Sequence, residues 1–321
     1  MKQAVLTGPR TFEVLDVPRP VIAPDEVLIR VAVCGVCASE LDMWTGIAEV
    51  TYPLSLGHEA SGIVEEVGAE VEGLAVGDPV AAWVTAGGFG EFVAVKALYC
   101  HAAGDVPLNA ALGEPIACAL NAVDLTRVRL GDDVLIVGAG FMGNLVQELV
   151  AMSGASRVIV ADTRSDALER ATKLGADHVV NVAEESITDV IKGLTGGRGV
   201  DVAFEVTGAQ QPLNWLGDVT RMSGKIALAG YHQGGNRTLP LAQWNYMAFR
   251  VVNCHFRDVG VINEGMARAM RLLTSRRLSV ERLVSHVFPL DSINQAFTTL
   301  HEKPAGFVKA NVVVDPTAAP Q

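Results

Sequence analysis

The chain has 321 residues, 50% hydrophobic and 19% charged, which excludes a disordered protein and, at about 150 residues per domain, implies two domains. Its 25 Lys and Arg against 36 Asp and Glu leave a formal net charge of −11, which argues against nucleic acid or an anionic membrane surface as partner. Five scattered cysteines make no disulfide framework and point to a reducing, cytoplasmic setting.

No signal-like apolar segment opens the chain, because residues 1–6 run directly into Gly8-Pro9. The first hundred residues read as short strands, 26–33, 62–67 and 90–95, split by Pro/Gly turns at 76–79 and 86–90. From about Leu125 the rhythm changes. Apolar runs at 133–137, 157–161, 178–180, 200–204, 225–229 and 251–255 alternate with helical patterns and predict a doubly wound parallel sheet covered on both faces. Beyond Asp258 the pattern predicts a helix over 262–277 with Met266, Met270 and Leu273 on one stripe. A strand over 283–288, a helix over 292–302, a strand over 307–314 and a fraying tail at 316–321 complete it. The expected organisation is a mostly β domain, 1–121, interrupted by an α/β domain, 122–257, and completed by 258–321.

The apolar stretch 134–147, about 14 residues with three glycines, is too short for the ~20 residues of a membrane helix. It contains Gly138-Ala-Gly-Phe-Met-Gly143 between the strand 134–137 and the helical stretch 144–153, the setting in which G-x-G-x-x-G binds a dinucleotide. Gly138 permits the tight turn, Gly140 admits the pyrophosphate, and Gly143 lets helix and strand pack closely. Phe141 and Met142 open the helix, whose N-terminal amides face the phosphates. Asp162, 19 residues past Gly143, suits ribose hydroxyls and favours NAD, while Arg164 could partner a 2′-phosphate and keeps NADP open.

Cys37, His58 and Glu59 sit in turn-like segments, 35–40 and 57–62. Thiolate, imidazole and carboxylate suit Zn²⁺ with a fourth position left for water or substrate. On spacing alone, with Cys37 and His58 21 residues apart, a buried Cys and a hydrogen-bonded His is the better reading.

A resemblance reverses that judgement. GVCASELDMW (35–44), LGHEASGIVEEVG (56–68), VGDPV (76–80), GEP (113–115), VLIVGAGFMG (134–143) and FEVTG (204–208) occur in family order. Together they resemble the medium-chain, zinc-dependent alcohol dehydrogenases, particularly the sorbitol and polyol dehydrogenase branch, over almost the whole chain. The resemblance implies a GroES-like catalytic domain and a Rossmann domain with the active site in the cleft between them.

Carried across, Cys37 and His58 match zinc ligands, and Glu59 the glutamate that ligates or swings onto the metal. Glu114 stands where the polyol branch has a glutamate and other members a third-ligand cysteine, with Cys118 as competitor. Cys34, Cys100 and Cys254 are expected in the core. Ser39 matches the proton-relay hydroxyl, and Trp44 an aromatic of the substrate cleft, with Phe89, Glu114 and Tyr231 as further lining candidates. Glu40 replaces the usual Asp that orients the ligands, and Asp42 replaces the His that ends the relay in many members. Only Cys100 falls between Phe92 and Glu114, so the structural-zinc lobe with its four cysteines is lacking and a single catalytic metal is expected.

The implied activity is hydride transfer between a secondary alcohol, a polyol, cyclitol or sugar derivative, and NAD(P), giving the ketone, in a homodimer or homotetramer joined near Val251. Two alternatives remain: a zinc-free NADPH quinone or enone reductase of the same fold, and a non-catalytic dinucleotide-binding protein.

Overall fold

The computed structural model describes residues 1–318. It divides into two compact units, Met1–Ala117 with Asp258–Gln321, and Cys118–Arg257. The first junction falls within the helix Gly113–Thr126, ahead of the boundary expected at 121. The start of that helix packs on Met266 and Met270 of the first unit, whereas Asn121 further along donates to the Cys254 carbonyl of the second.

The first unit is built on a seven-stranded sheet. Its strands run Val284–Pro289, Lys309–Val313, Glu26–Gly35, Glu59–Val67, Pro79–Trp83 and Cys100–Ala102, and Phe92–Lys96 also pairs with Glu26–Gly35. The central strand Glu26–Gly35 is covered on both faces: Leu28, Ile29, Val31, Ala32 and Val33 are all fully buried, so its sequence reads as one apolar run rather than an alternation. Each such Leu, Ile or Val contributes about 1.5–3 kcal/mol on burial. Its pairing sets Gly35 opposite Glu59 on one side and Asn311 on the other, which brings the ends of two strands beside the middle of a third.

A separate three-stranded sheet joins Thr11–Asp16, Lys2–Gly8 and Leu54–Ser55. It shares an aromatic core of Phe12, Trp44, Phe89 and Phe297 with the helix Ile293–Glu302. The helix expected at 262–277 runs Val259–Thr274, starting earlier because the Asp258 carboxylate accepts the Gly260 and Val261 N–H groups at 2.8 and 3.2 Å. The strand expected over 307–314 is confined to Lys309–Val313. Of the tail expected to fray, residues 319–321 lie outside the described residues.

The second unit holds a six-stranded parallel sheet in the order His178–Asn181, Arg157–Asp162, Asp133–Val137, Val200–Glu205, Thr220–Leu228, Arg250–Asn253, the Rossmann arrangement. The last strand ends at Asn253, short of the expected 255, where the Asn253 side chain accepts the His255 N–H. Among the described residues no helix is long and apolar enough to cross a membrane.

Candidate metal and dinucleotide sites

The first site stands where the strands of the seven-stranded sheet end. After Gly35 the chain enters the 3₁₀ turn Ala38–Glu40 and the short helix Leu41–Thr45, with Cys37 at the entrance. Strand Glu59–Val67 begins immediately after His58. As a result Cys37, His58 and Glu59 each offer one donor atom, all within 4.8 Å of one another. A thiolate, an imidazole and a carboxylate gathered at one place are the three protein ligands of an open, catalytic type of zinc site.

The surroundings are arranged around these donors. Glu40, only 3% exposed, accepts the Gly57 N–H through Oε1 at 2.7 Å, and the same oxygen lies 3.0 Å from His58 Nδ1. A proton on Nδ1, donated to Glu40, leaves Nε2 as the lone-pair donor. Burial works against a charged imidazole at His58, yet the Cys37 and Glu40 charges beside it hold its pKa well above the ordinary value. Those neighbours favour positive charge at this place, as a cation site does and an apolar core does not. Glu59 is equally buried, and its Oε1 has no hydrogen-bond partner among the described residues. Such an orphaned oxygen is costly unless a ligand completes it, so the residues present fit a bound metal.

Ser39 Oγ donates to Cys37 Sγ at 3.3 Å. Lys309, unsignalled in the sequence, is also here: its Nζ lies 2.5 Å from Glu59 Oε2 and donates to the Val36 carbonyl at 2.9 Å. Burial opposes its charge, but Glu59 and Cys37 keep its pKa above the usual lysine value. Glu114, in the first turn of Gly113–Thr126, stands outside the group of three, although its charge is felt by Lys309. Cys118 also stands outside it. Cys34 is fully buried, which pushes its thiol up strongly, and burial pushes Cys100 and Cys254 up to about 12. None of these three is a thiolate near neutrality. Asp42 lies part-exposed in Leu41–Thr45.

Two expectations require correction. Trp44 does not line a cleft: it is 2% exposed, 6.0 Å from the Phe297 ring, with Arg10 over its face. The short helix Leu41–Thr45 turns it inward against Ile293–Glu302, where burying an indole contributes more than leaving it wet. Phe89 is fully buried in the same cluster. Tyr231, by contrast, is part-exposed in the second unit.

The second site follows strand Asp133–Val137. Gly138 adopts φ +108°, a conformation that L side chains rarely take, and the helix Phe141–Met152 begins without a side-chain cap at Gly140. A Cβ on Gly143 would meet the Gly138 carbonyl oxygen at 1.8 Å, so only glycine fits. A Cβ on Gly140 would meet nothing within 4 Å, which leaves open space before the helix N-terminus. A helix N-terminus with free volume before it fits a pyrophosphate. Asp162 accepts the Ala139 N–H through Oδ2 at 2.7 Å and the Arg164 N–H through Oδ1 at 2.9 Å, bracing the turn. Arg170, not anticipated from the sequence, donates to the Ala139 carbonyl at 3.2 Å.

Two family models match the chain: "Alcohol dehydrogenase GroES-like domain" over residues 23–105 and "Zinc-binding dehydrogenase" over residues 142–275. Sorbitol dehydrogenase of Homo sapiens is 30% identical over 331 residues, covering 92% of this chain and 91% of that protein. L-threonine 3-dehydrogenase of Pyrococcus abyssi is 30% identical over 342 residues, covering 96% of each. Among solved structures, galactitol-1-phosphate dehydrogenase from Escherichia coli superimposes with a TM-score of 0.88 at 26% identity, covering 98% of this chain and 100% of that one.

Proposed function

Because the chain belongs to the medium-chain, zinc-dependent alcohol dehydrogenases, in their polyol branch, we propose that Cys37, His58 and Glu59 hold the zinc of this zinc- and NAD(P)-dependent alcohol oxidoreductase. The observation that carries this is the three donor atoms within 4.8 Å, one of them the partnerless Oε1 of a buried Glu59. Held by these residues, zinc would supply Lewis-acid polarisation of the substrate oxygen, and a nicotinamide coenzyme bound at the glycine turn would supply the hydride acceptor.

The remaining work falls to side chains. Ser39, whose hydroxyl reaches Cys37 Sγ, accepts the alcohol proton at Oγ as its own proton passes to solvent. Glu40 fixes the His58 ring through Nδ1. Gly138, Gly140 and Gly143, with the amides of Phe141 and Met142, cradle the pyrophosphate, and the Asp162 carboxylate repels a 2′-phosphate, so NAD is the preferred coenzyme even with Arg164 adjacent. Glu114 serves as the alternative metal or water ligand.

The substrate is a secondary alcohol of the polyol, cyclitol or sugar-derivative class, as the sorbitol- and galactitol-1-phosphate-directed relatives suggest, and the product its ketone. The half-exposed Val251 on the edge strand Arg250–Asn253 supports a homodimer or homotetramer joined along that edge. The free cysteines suit a cytoplasmic location.

Metal analysis combined with NADH formation across a panel of polyols, cyclitols, sugar alcohols and L-threonine tests the reading. The expected result is zinc in the purified protein and activity on a secondary polyol, with Cys37→Ser and His58→Ala losing zinc and about 10³-fold in kcat/KM. Stoichiometric zinc and activity surviving both changes would overturn it. Full NADPH-dependent enone reduction in the presence of chelator would instead favour the zinc-free reductase.

A further inference from the structure

Lys309 is 4% exposed, and lysine is seldom buried to this degree unless paired. An apolar side chain of similar volume would fill the position without the desolvation cost of an ammonium. Its partners show what the charge is used for. Nζ touches Glu59 Oε2 at 2.5 Å and the Val36 carbonyl at 2.9 Å, so it bridges the Glu59 carboxylate to the backbone next to Cys37. The pocket for this contact exists because residue 35 is glycine: a Cβ there would lie 2.0 Å from Glu59 Oε2 and 3.1 Å from Lys309 Cε. The two oxygens of Glu59 are therefore unequal: neither makes a hydrogen bond among the described residues, but Oε2 is in ion-pair contact with an ammonium and Oε1 is not.

We infer that Lys309 is a positioning residue for the metal site: it pins Oε2 of Glu59 in the slot beside Gly35, so that Glu59 meets the metal through Oε1 alone. The inference rests on Cys37, His58 and Glu59 being the ligands. A thiolate and a carboxylate together neutralise a divalent cation.

The test uses Lys309→Met, Lys309→Arg and Gly35→Ala in the full chain, with folding followed by circular dichroism. The readouts are zinc affinity, by competition with a chromophoric chelator, and the visible d–d spectrum after Co²⁺ substitution. Lys309→Met should weaken zinc binding about 10–100-fold and lower the Co²⁺ band intensity as Glu59 turns to ligation through both oxygens. Lys309→Arg should restore most of both, and Gly35→Ala should reproduce the Met spectrum with the lysine still present. A folded Lys309→Met protein with the parent Co²⁺ spectrum and zinc affinity within about twofold overturns the inference. If Lys309→Met does not fold, parent values in Gly35→Ala overturn it on the same readouts. A parent protein that binds neither zinc nor Co²⁺ removes the ligand assignment itself, a failure distinct from that of Lys309.

Discussion

The two sites are built by different means. The dinucleotide turn comes from one continuous stretch, strand Asp133–Val137, Gly138–Gly143 and helix Phe141–Met152, and it works through backbone amides and absent side chains. The candidate metal site draws on residues 35–40, 57–59 and 309, and it is made of buried charges that strand pairing brings together. A backbone cradle tolerates change anywhere except where a Cβ would enter it. A charged cluster depends on every partner, since removing one leaves the others buried and unbalanced.

Substitutions that damage one site and spare the other put this contrast at risk. The largest effect is expected from Gly143→Ala, because the new methyl would lie 1.8 Å from the Gly138 oxygen. NADH affinity should fall about 100-fold or more, by fluorescence titration, while zinc content is retained. Loss of zinc in the same protein would show that the two sites are not independent. Glu40→Gln should do the reverse, lowering zinc affinity about 10-fold in a chelator competition and leaving NADH binding intact, since it weakens the hold on His58 Nδ1 and the Gly57 N–H.

The smallest effect concerns an ion cluster of the second unit away from the glycine turn. Burial opposes the charge on Asp201, but Arg198 and Arg221, 2.9 and 2.6 Å from its Oδ1, hold its carboxyl well below the usual range. A carboxyl depressed on folding adds stability above its unfolded value near 4, and that stability is lost as pH falls through the lower folded value. Asp201→Asn should lower Tm at pH 7 by about 3 °C and flatten the acid limb below about pH 4 in thermal melts, without changing zinc content. An unaltered acid limb would mean that other carboxyls carry it.

Much of the fold was legible in the chain, and the reasons differ by region. The six parallel strands were visible because burial on both faces gives uninterrupted apolar runs such as Val134–Val137. The hairpin Lys2–Gly8/Thr11–Asp16 was not anticipated, because its second strand is largely solvent-facing and carries no period-two contrast strong enough to read. Trp44 was misplaced for a related reason: a motif position says nothing of which way a single helical turn faces, and the packing with Phe297 settles that.

The sequence by itself determined the two-domain organisation and the glycine turn, since each leaves a local trace in residue type and spacing, while Cys37, His58 and Glu59 became candidate ligands only through the family resemblance of their motifs. Only the tertiary structure decided which candidate donors lie together and which charge lies against them. Glu59 joins Cys37 and His58 while Glu114 stands outside. Lys309 reaches the Val36 carbonyl across 273 positions of chain, a separation over which no spacing rule operates. The reason is strand pairing: Gly35 lies opposite Glu59 and Asn311, and that register sets the Glu59 carboxylate, the glycine slot and the Lys309 ammonium against one another.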